Sequence, residues 1–176
     1  VKPEVLSALG IASPDTLFEW GVATDPRFPW LNAYMALMMD IVETNQWRRP
    51  IYFASGYAPP AGIDSCIQEC GLVQRLLPVR VARYGLELDT ATIRRVLLDS
   101  ASFRDLGTVK DHDMPRVSSV LMNYRAGLVG LAIHYNQSGN QAACNDVLDR
   151  MAALVPDSVY PMPPEAAQLI EQLRKG

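Results

Sequence analysis

Residues 115–139 read PRVSSVLMNYRAGLVGLAIHYNQSG, and the spacing of their apolar side chains decides the fold. Val117, Val120, Leu121, Tyr124, Leu128, Leu131, Ala132 and Tyr135 recur at intervals of three and four, the period of one helix face. Pro115 suits the first turn of a helix, where its missing N–H would have no partner anyway. Gly139 can take the left-handed backbone that ends the helix. Asn140 then caps a second helix, because its short side chain accepts from unsatisfied N–H groups of the first turn. Cys144, Val147, Leu148, Met151 and Val155 repeat the apolar stripe along that second helix.

Working outward, Pro156 and the run YPMPP (160–164) precede a last helix with Ala166, Leu169, Ile170 and Leu173 on one side. Upstream, Asp89 or Thr90 can cap a helix carrying Ile93, Val96 and Leu97, and FRDLGTVKDHDM (103–114) reads as a polar connection. Leu31 to Asn45 is helical again, with Leu31, Tyr34, Met35, Met38, Ile41 and Val42 sharing a face, and Pro50 ends it by disfavouring helical dihedrals at Arg49. Ile51–Ala54 (IYFA) is β-prone. GLVQRLLPVRVA (71–82) predicts a further strand in which Val79 and Val81 alternate with Arg80 and Arg83, with Pro78 at its start or on a sheet edge. The expected class is therefore α+β and predominantly helical: a small two- to three-stranded sheet packed on helices, followed by helical hairpins. Residues 1–110 are expected to form the α+β subdomain with the small sheet and 111–176 the helical one packed on it, the two making one compact unit. Residues 1–30, rich in Pro, Asp and Gly, are expected to lie over the body through Phe18, Trp20 and Trp30.

A chain of 176 residues can bury a core of its own, and 49% hydrophobic with 20% charged residues is ordinary globular composition. A net charge of −3 supplies no field for nucleic acid, so no nucleic-acid partner is expected. Arg75, Arg80, Arg83, Arg94 and Arg95 are spread over a strand and a helix and read as a solvated face. The apolar run Ala33–Met39 is far shorter than the ~20 residues that cross a bilayer. The chain opens on Val1 rather than Met and reads as a piece of a longer polypeptide. Cys66, Cys70 and Cys144 lack zinc-pair spacing; Cys66 and Cys70 can bridge only in an oxidising compartment with suitable Cα separation.

No set of side chains spells out a reaction, so no catalytic residue, metal or cofactor is expected. Asp111, His112 and Asp113 are consecutive and cannot all face one ion from regular structure; Asp113 is better placed to favour the following helix N-terminus. His134 sits beside the apolar stripe and reads as packed or surface. There is no nucleophile elbow, and SGYAPPAG (55–62) lacks the lysine and helix of a phosphate loop. NQWRRPIYFA (45–54) is different, since it carries two adjacent cations to the mouth of an apolar strand. Arg49 can form a fork with Asp40 or Glu43, as a structural corner, or with a bound anion. A small anionic or carbohydrate ligand would use Trp47, Arg49, Tyr52 and Arg75. Tyr124, Arg125 and Tyr135 are candidates for an interaction surface, or for structural hydrogen bonds.

The hairpin at residues 125–156 resembles a tetratricopeptide repeat: Leu128, Leu131, Ala132, Tyr135, Gly139, Cys144, Leu148, Met151 and Pro156 fall at its signature spacings. One such repeat cannot cover its own stripe, so it must lean on other helices or a partner. Taken with DIVETNQWRRPIYFA, GLVQRLLPVR and VLMNYR, the stretch from about Asp40 to Pro156 resembles the soluble C-terminal portion of a family of bacterial polytopic membrane proteins. That family is of unknown function and is related to protein O-mannosyltransferases of the C-type glycosyltransferase class. The resemblance implies a periplasmic domain beside a missing membrane part. Its expected role is non-catalytic: docking an acceptor polypeptide, a partner subunit or the parent membrane domain. The family's catalytic acidic motif has no counterpart here, so no catalytic residue carries over. A periplasmic setting favours a Cys66–Cys70 bridge.

Overall fold

The computed structural model describes residues 2–8, 10, 11, 19, 33–54, 62–99 and 113–176. These fall into two compact units, residues 1–69 with 73–87, and residues 70–72 with 88–176. The subdomain boundary expected at 110/111 lies outside the described residues, as do Phe18, Trp20, Trp30, Leu31, Asp111, His112 and most of the SGYAPPAG run.

The first unit holds α1 (Pro3–Ala8), α2 (Ala33–Asn45) and a three-stranded antiparallel sheet of β1 (Ile51–Ala54), β2 (Ile67–Glu69) and β3 (Val73–Leu76) in the order β1-β3-β2. Register pairs Ile51 with Leu76 and Tyr52 with Arg75 on one side of β3, and Ile67 with Leu76 on the other. Leu76 is thus flanked by two isoleucines, and with Phe53 and Cys66 it forms a core closed by Met38 and Val42 of α2. A sheet this small needs such a cover to be stable. A second cluster gathers Leu6, Ile11, Leu77, Val79 and Val81. The α+β, predominantly helical class is thereby observed, with three strands.

One strand lies elsewhere than its sequence signal. The alternation of Val79 and Val81 predicts a strand there, but β3 is Val73–Leu76 and Val81–Tyr84 is a 3₁₀ turn closed by Gly85 at φ 64°. Val79 and Val81 are both buried in the Leu6 cluster, so their alternation with Arg80 reflects an irregular segment that buries Leu77 to Val79 and Val81 and leaves Arg80 exposed. Pro78 comes after the strand and cannot donate to any ladder that would prolong it.

The second unit holds α3 (Thr90–Leu97), α4 (Met114–Gln137), α5 (Gln141–Leu154) and α6 (Pro164–Lys175). The caps follow their chemistry. Asp89 accepts from the Thr92 N–H at 2.9 Å, and Asn140 from the Ala143 N–H at 3.1 Å. The end of α4 is a Schellman turn: Gly139 has φ 74°, its N–H donates to Asn136, and the Asn140 N–H donates to Tyr135. The stripes of α4 and α5 meet in one cluster, Leu128, Leu131, Ala132, Cys144, Val147, Leu148 and Met151, which Ile93 and Leu97 of α3 and Leu173 of α6 complete. The Gln141 side chain donates to the Leu173 carbonyl at 2.7 Å, and Arg174 pairs with Asp149 at 2.8 Å, fastening α6. The hairpin's stripe is therefore covered within its own unit.

Cys66, Cys70 and Cys144 are buried and carry no disulfide. Burial pushes the Cys66 and Cys144 thiols above their ordinary value, because a thiolate would lose its water. Among the described residues no helix is long and apolar enough to cross a membrane.

Candidate functional site

The corner after α2 is built by Asn45. Its side-chain amide donates to the Arg49 carbonyl at 2.8 Å and accepts from the Arg49 N–H at 2.9 Å, imitating a two-bond backbone bridge. Between them the chain turns through Gln46 and Trp47, both left-handed at φ 48° and 61°. Left-handed backbone costs a residue with a Cβ about 1–2 kcal/mol, and the Asn45 clamp together with the half-buried Trp47, packed against the cluster of Met38, Val42 and Leu76, holds it there. Neither Asp40 nor Glu43 pairs with Arg49 among the described residues. The corner closes through an amide instead of a salt bridge.

This turn delivers Trp47, Arg48, Arg49 and Pro50 in succession to the wall of an open pocket of about 380 Å³ in the first unit. Glu4, Val5 and Ala8 of α1 supply another part of the wall, and Arg75, Leu76, Leu77 and Pro78 the rest. Three arginines and one glutamate thus line a pocket whose other lining residues are apolar. Arg48 donates to the neutral Gln46 side chain at 3.3 Å. No described carboxylate lies within ion-pair distance of Arg49 or Arg75. A wall of this kind can hold an anion through arginine forks and stack a ring on the indole.

Of the four ligand residues predicted from sequence, Trp47, Arg49 and Arg75 line this pocket. Tyr52 does not: it is 50% exposed on β1, opposite Arg75 in register. Arg48 and Glu4 are lining residues that sequence reasoning did not pick. The RR pair is the only sequence signal for Arg48, and nothing local marks Glu4, some forty residues upstream.

The three interaction candidates lie in the second unit. Arg125 is 2% exposed, so its side chain is packed inside the unit. Its Nη2 donates to the Val155 carbonyl at 2.8 Å at the end of α5, with Asp157 at 3.9 Å, while Nε has no partner. Burial pulls its guanidinium below the ordinary range, with Asp157 opposing the shift. Spacing could have found it, since Leu121, Arg125, Leu128 and Ala132 follow one buried helix row. Tyr124 is half-buried between two clusters. Tyr135 is half-buried with the Arg94 guanidinium 6.0 Å from its ring centroid, and Arg94 pairs with Asp146 at 3.0 Å. That hydrogen bond raises the Arg94 pKa. Among the described residues no group of three His, Cys, Asp or Glu side chains is placed to hold a metal ion.

Residues 30–94 match the family model of TMEM260-associated domain 2, which fits a domain tied to TMEM260-like, O-mannosyltransferase-related proteins. The match takes in α2, the corner, all three strands and the Arg48, Arg49 and Arg75 wall. The RPIYFA and GLVQRLLP elements lie inside it, and the α4–α5 hairpin lies outside. No curated protein and no solved structure matches the chain.

Proposed function

We propose that this chain is a non-catalytic, extracytoplasmic segment of a membrane-anchored protein related to glycosyltransferases, on the periplasmic side of a bacterial membrane. Its working part is the pocket of the first unit, which holds a small anionic or carbohydrate ligand beside the parent's membrane domain. One observation carries this reading: Trp47, Arg48, Arg49 and Arg75 come together on one concave wall, within the segment matching TMEM260-associated domain 2. Arginine forks and an aromatic face are what anion and sugar recognition require. Titration calorimetry of the whole chain with sulfate, phosphate, glucose and glucose 1-phosphate tests it. At least one should bind saturably and lose its heat in an Arg49→Gln/Arg75→Gln double variant. Silence with all four would reject the reading.

A second reading, docking of an acceptor polypeptide or partner subunit, is favoured by α2. That helix exposes Tyr34, Leu37, Met39 and Ile41 to solvent, a run of apolar side chains of the kind that marks interfaces. The α4–α5 hairpin no longer argues for it, because α3 and α6 cover its stripe. A photo-crosslinker placed at Leu37 in the full-length membrane protein should capture one partner that a crosslinker at exposed Glu171 does not. Identical yields from both positions would remove the docking reading.

A further inference from the structure

We infer that the pocket's ligand is a doubly charged phosphate monoester whose organic part is apolar or a flat ring; this rests on the anion-binding reading above. Charge comes first. Three arginines, Arg48, Arg49 and Arg75, line the pocket with one acidic residue, Glu4, so the lining residues together carry two positive charges in excess. A dianion balances that excess fully. A carboxylate or a sulfate ester, with one charge, balances half of it. Among the described residues the three cations have no carboxylate partner, so no described ion pair has to break when an anion takes up their charge. Planar guanidinium forks also match the paired oxygens of a phosphate.

The apolar part of the wall decides what the phosphate is attached to. Trp47, Pro50, Leu77 and Pro78 border the arginines. An inorganic ion would leave this surface against water, whereas the organic half of an ester covers it and a ring stacks on the indole. The backbone of this corner is held before any ligand arrives. The two bonds from the Asn45 amide, at 2.8 and 2.9 Å, fix the Arg49 backbone, and the left-handed turn at Gln46 and Trp47 brings Trp47, Arg48 and Arg49 into the lining of one pocket. Rigid presentation of this kind lowers the ordering cost of binding.

The experiment compares phenyl phosphate, phenyl sulfate and inorganic phosphate on the whole chain by calorimetry at pH 7.5 and low salt. Phenyl phosphate should bind about tenfold or more tighter than either of the others, since each lacks one of the two matched features. Arg49→Gln and Arg75→Gln should each weaken it about tenfold. Arg49 is solvent-exposed, so the ligand-free melting temperature of its variant should be unchanged; Arg48→Gln serves as a second exposed variant. Equal affinity for phenyl sulfate and phenyl phosphate, both lost with the arginines, would overturn the phosphate assignment and leave anion binding standing. Binding of none of them, nor of any anion or sugar, would overturn both. Competition by a soluble nucleoside monophosphate would identify a free ester as the source. Competition by phosphatidic acid vesicles, but not by phosphatidylglycerol vesicles, would identify a lipid headgroup.

Discussion

Two alanine substitutions on α4, Gly127→Ala and Gly130→Ala, should differ in their effect on stability. Both gain helix propensity, about 0.8–1.0 kcal/mol for glycine replaced by alanine in a helix interior. At Gly130 the new Cβ meets nothing within 4 Å, so the gain stands. At Gly127 it would sit 2.7 Å from Leu97 Cδ1 and 3.4 Å from the Gly71 Cα. Leu97 is fully buried among Ile93, Leu128 and Leu131, so its methyl has no open space to enter. Overpacking of that kind costs about 1–3 kcal/mol. Gly130→Ala should therefore stabilise by about 1 kcal/mol, while Gly127→Ala lies between neutral and about 2 kcal/mol destabilising. Urea unfolding followed by far-UV circular dichroism is the assay, because the second unit is mainly helical. Trp47 fluorescence reports on the first unit instead. Shortening the obstacle with Leu97→Val should recover part of the loss in the Gly127→Ala background. If Gly127→Ala stabilises as much as Gly130→Ala, the close approach of α4 to Gly71 and the locking of Leu97 are wrong.

Other perturbations address the remaining features. Arg125→Leu leaves the Val155 carbonyl without its charged donor, which costs about 1.5–3 kcal/mol, and removes a buried charge, which offsets part of it; a net loss of about 1 kcal/mol in urea unfolding is expected, and a stabilised variant would contradict the bond's role. Asn45→Ala removes both clamp bonds and should cost about 1–2 kcal/mol in unfolding followed by Trp47 fluorescence, whereas an unchanged midpoint would mean that the left-handed turn holds itself. Cys66 and Cys144 should resist a disulfide exchange reagent in the native chain and react on unfolding; fast native labelling would contradict their burial. Since their folded pKa values lie above the ordinary 9.0, the folded chain holds these protons more tightly. That contribution is intact below pH 9.0 and declines as pH rises beyond it, so an alkaline stability curve flat across that range would disagree.

The helices of the second unit were legible because caps, proline and glycine fall where a 3.6-residue period begins and ends, and Asp89, Asn140 and Gly139 all act as their chemistry suggests. The sheet was legible only in part. Ile51–Ala54 is a continuous apolar run, but β2 has three residues, too few for any period to show. In β3, Gln74 and Arg75 interrupt the apolar pattern, so the stronger alternation at Val79 and Val81 attracted the assignment. The corner escaped because left-handed backbone is signalled by glycine, and this turn uses glutamine and tryptophan held by a distant amide. The charge of Arg125 argues for exposure and an interaction role, whereas its position on the helix argues for the core. At the pocket, the RR pair and Trp47 carried a local signal; Glu4 reaches the wall only through tertiary folding, which no single-sequence spacing encodes.

The central claim is that Trp47, Arg48, Arg49 and Arg75 act together on one ligand. Side-chain NMR of the arginine Nε–H groups and the tryptophan indoles during a phenyl phosphate titration addresses it directly. The signals of these four residues should move together along one saturating curve, with Arg125 and Arg94 of the second unit unaffected. Shifts confined to the second unit, or no saturable shift at the corner, would contradict it.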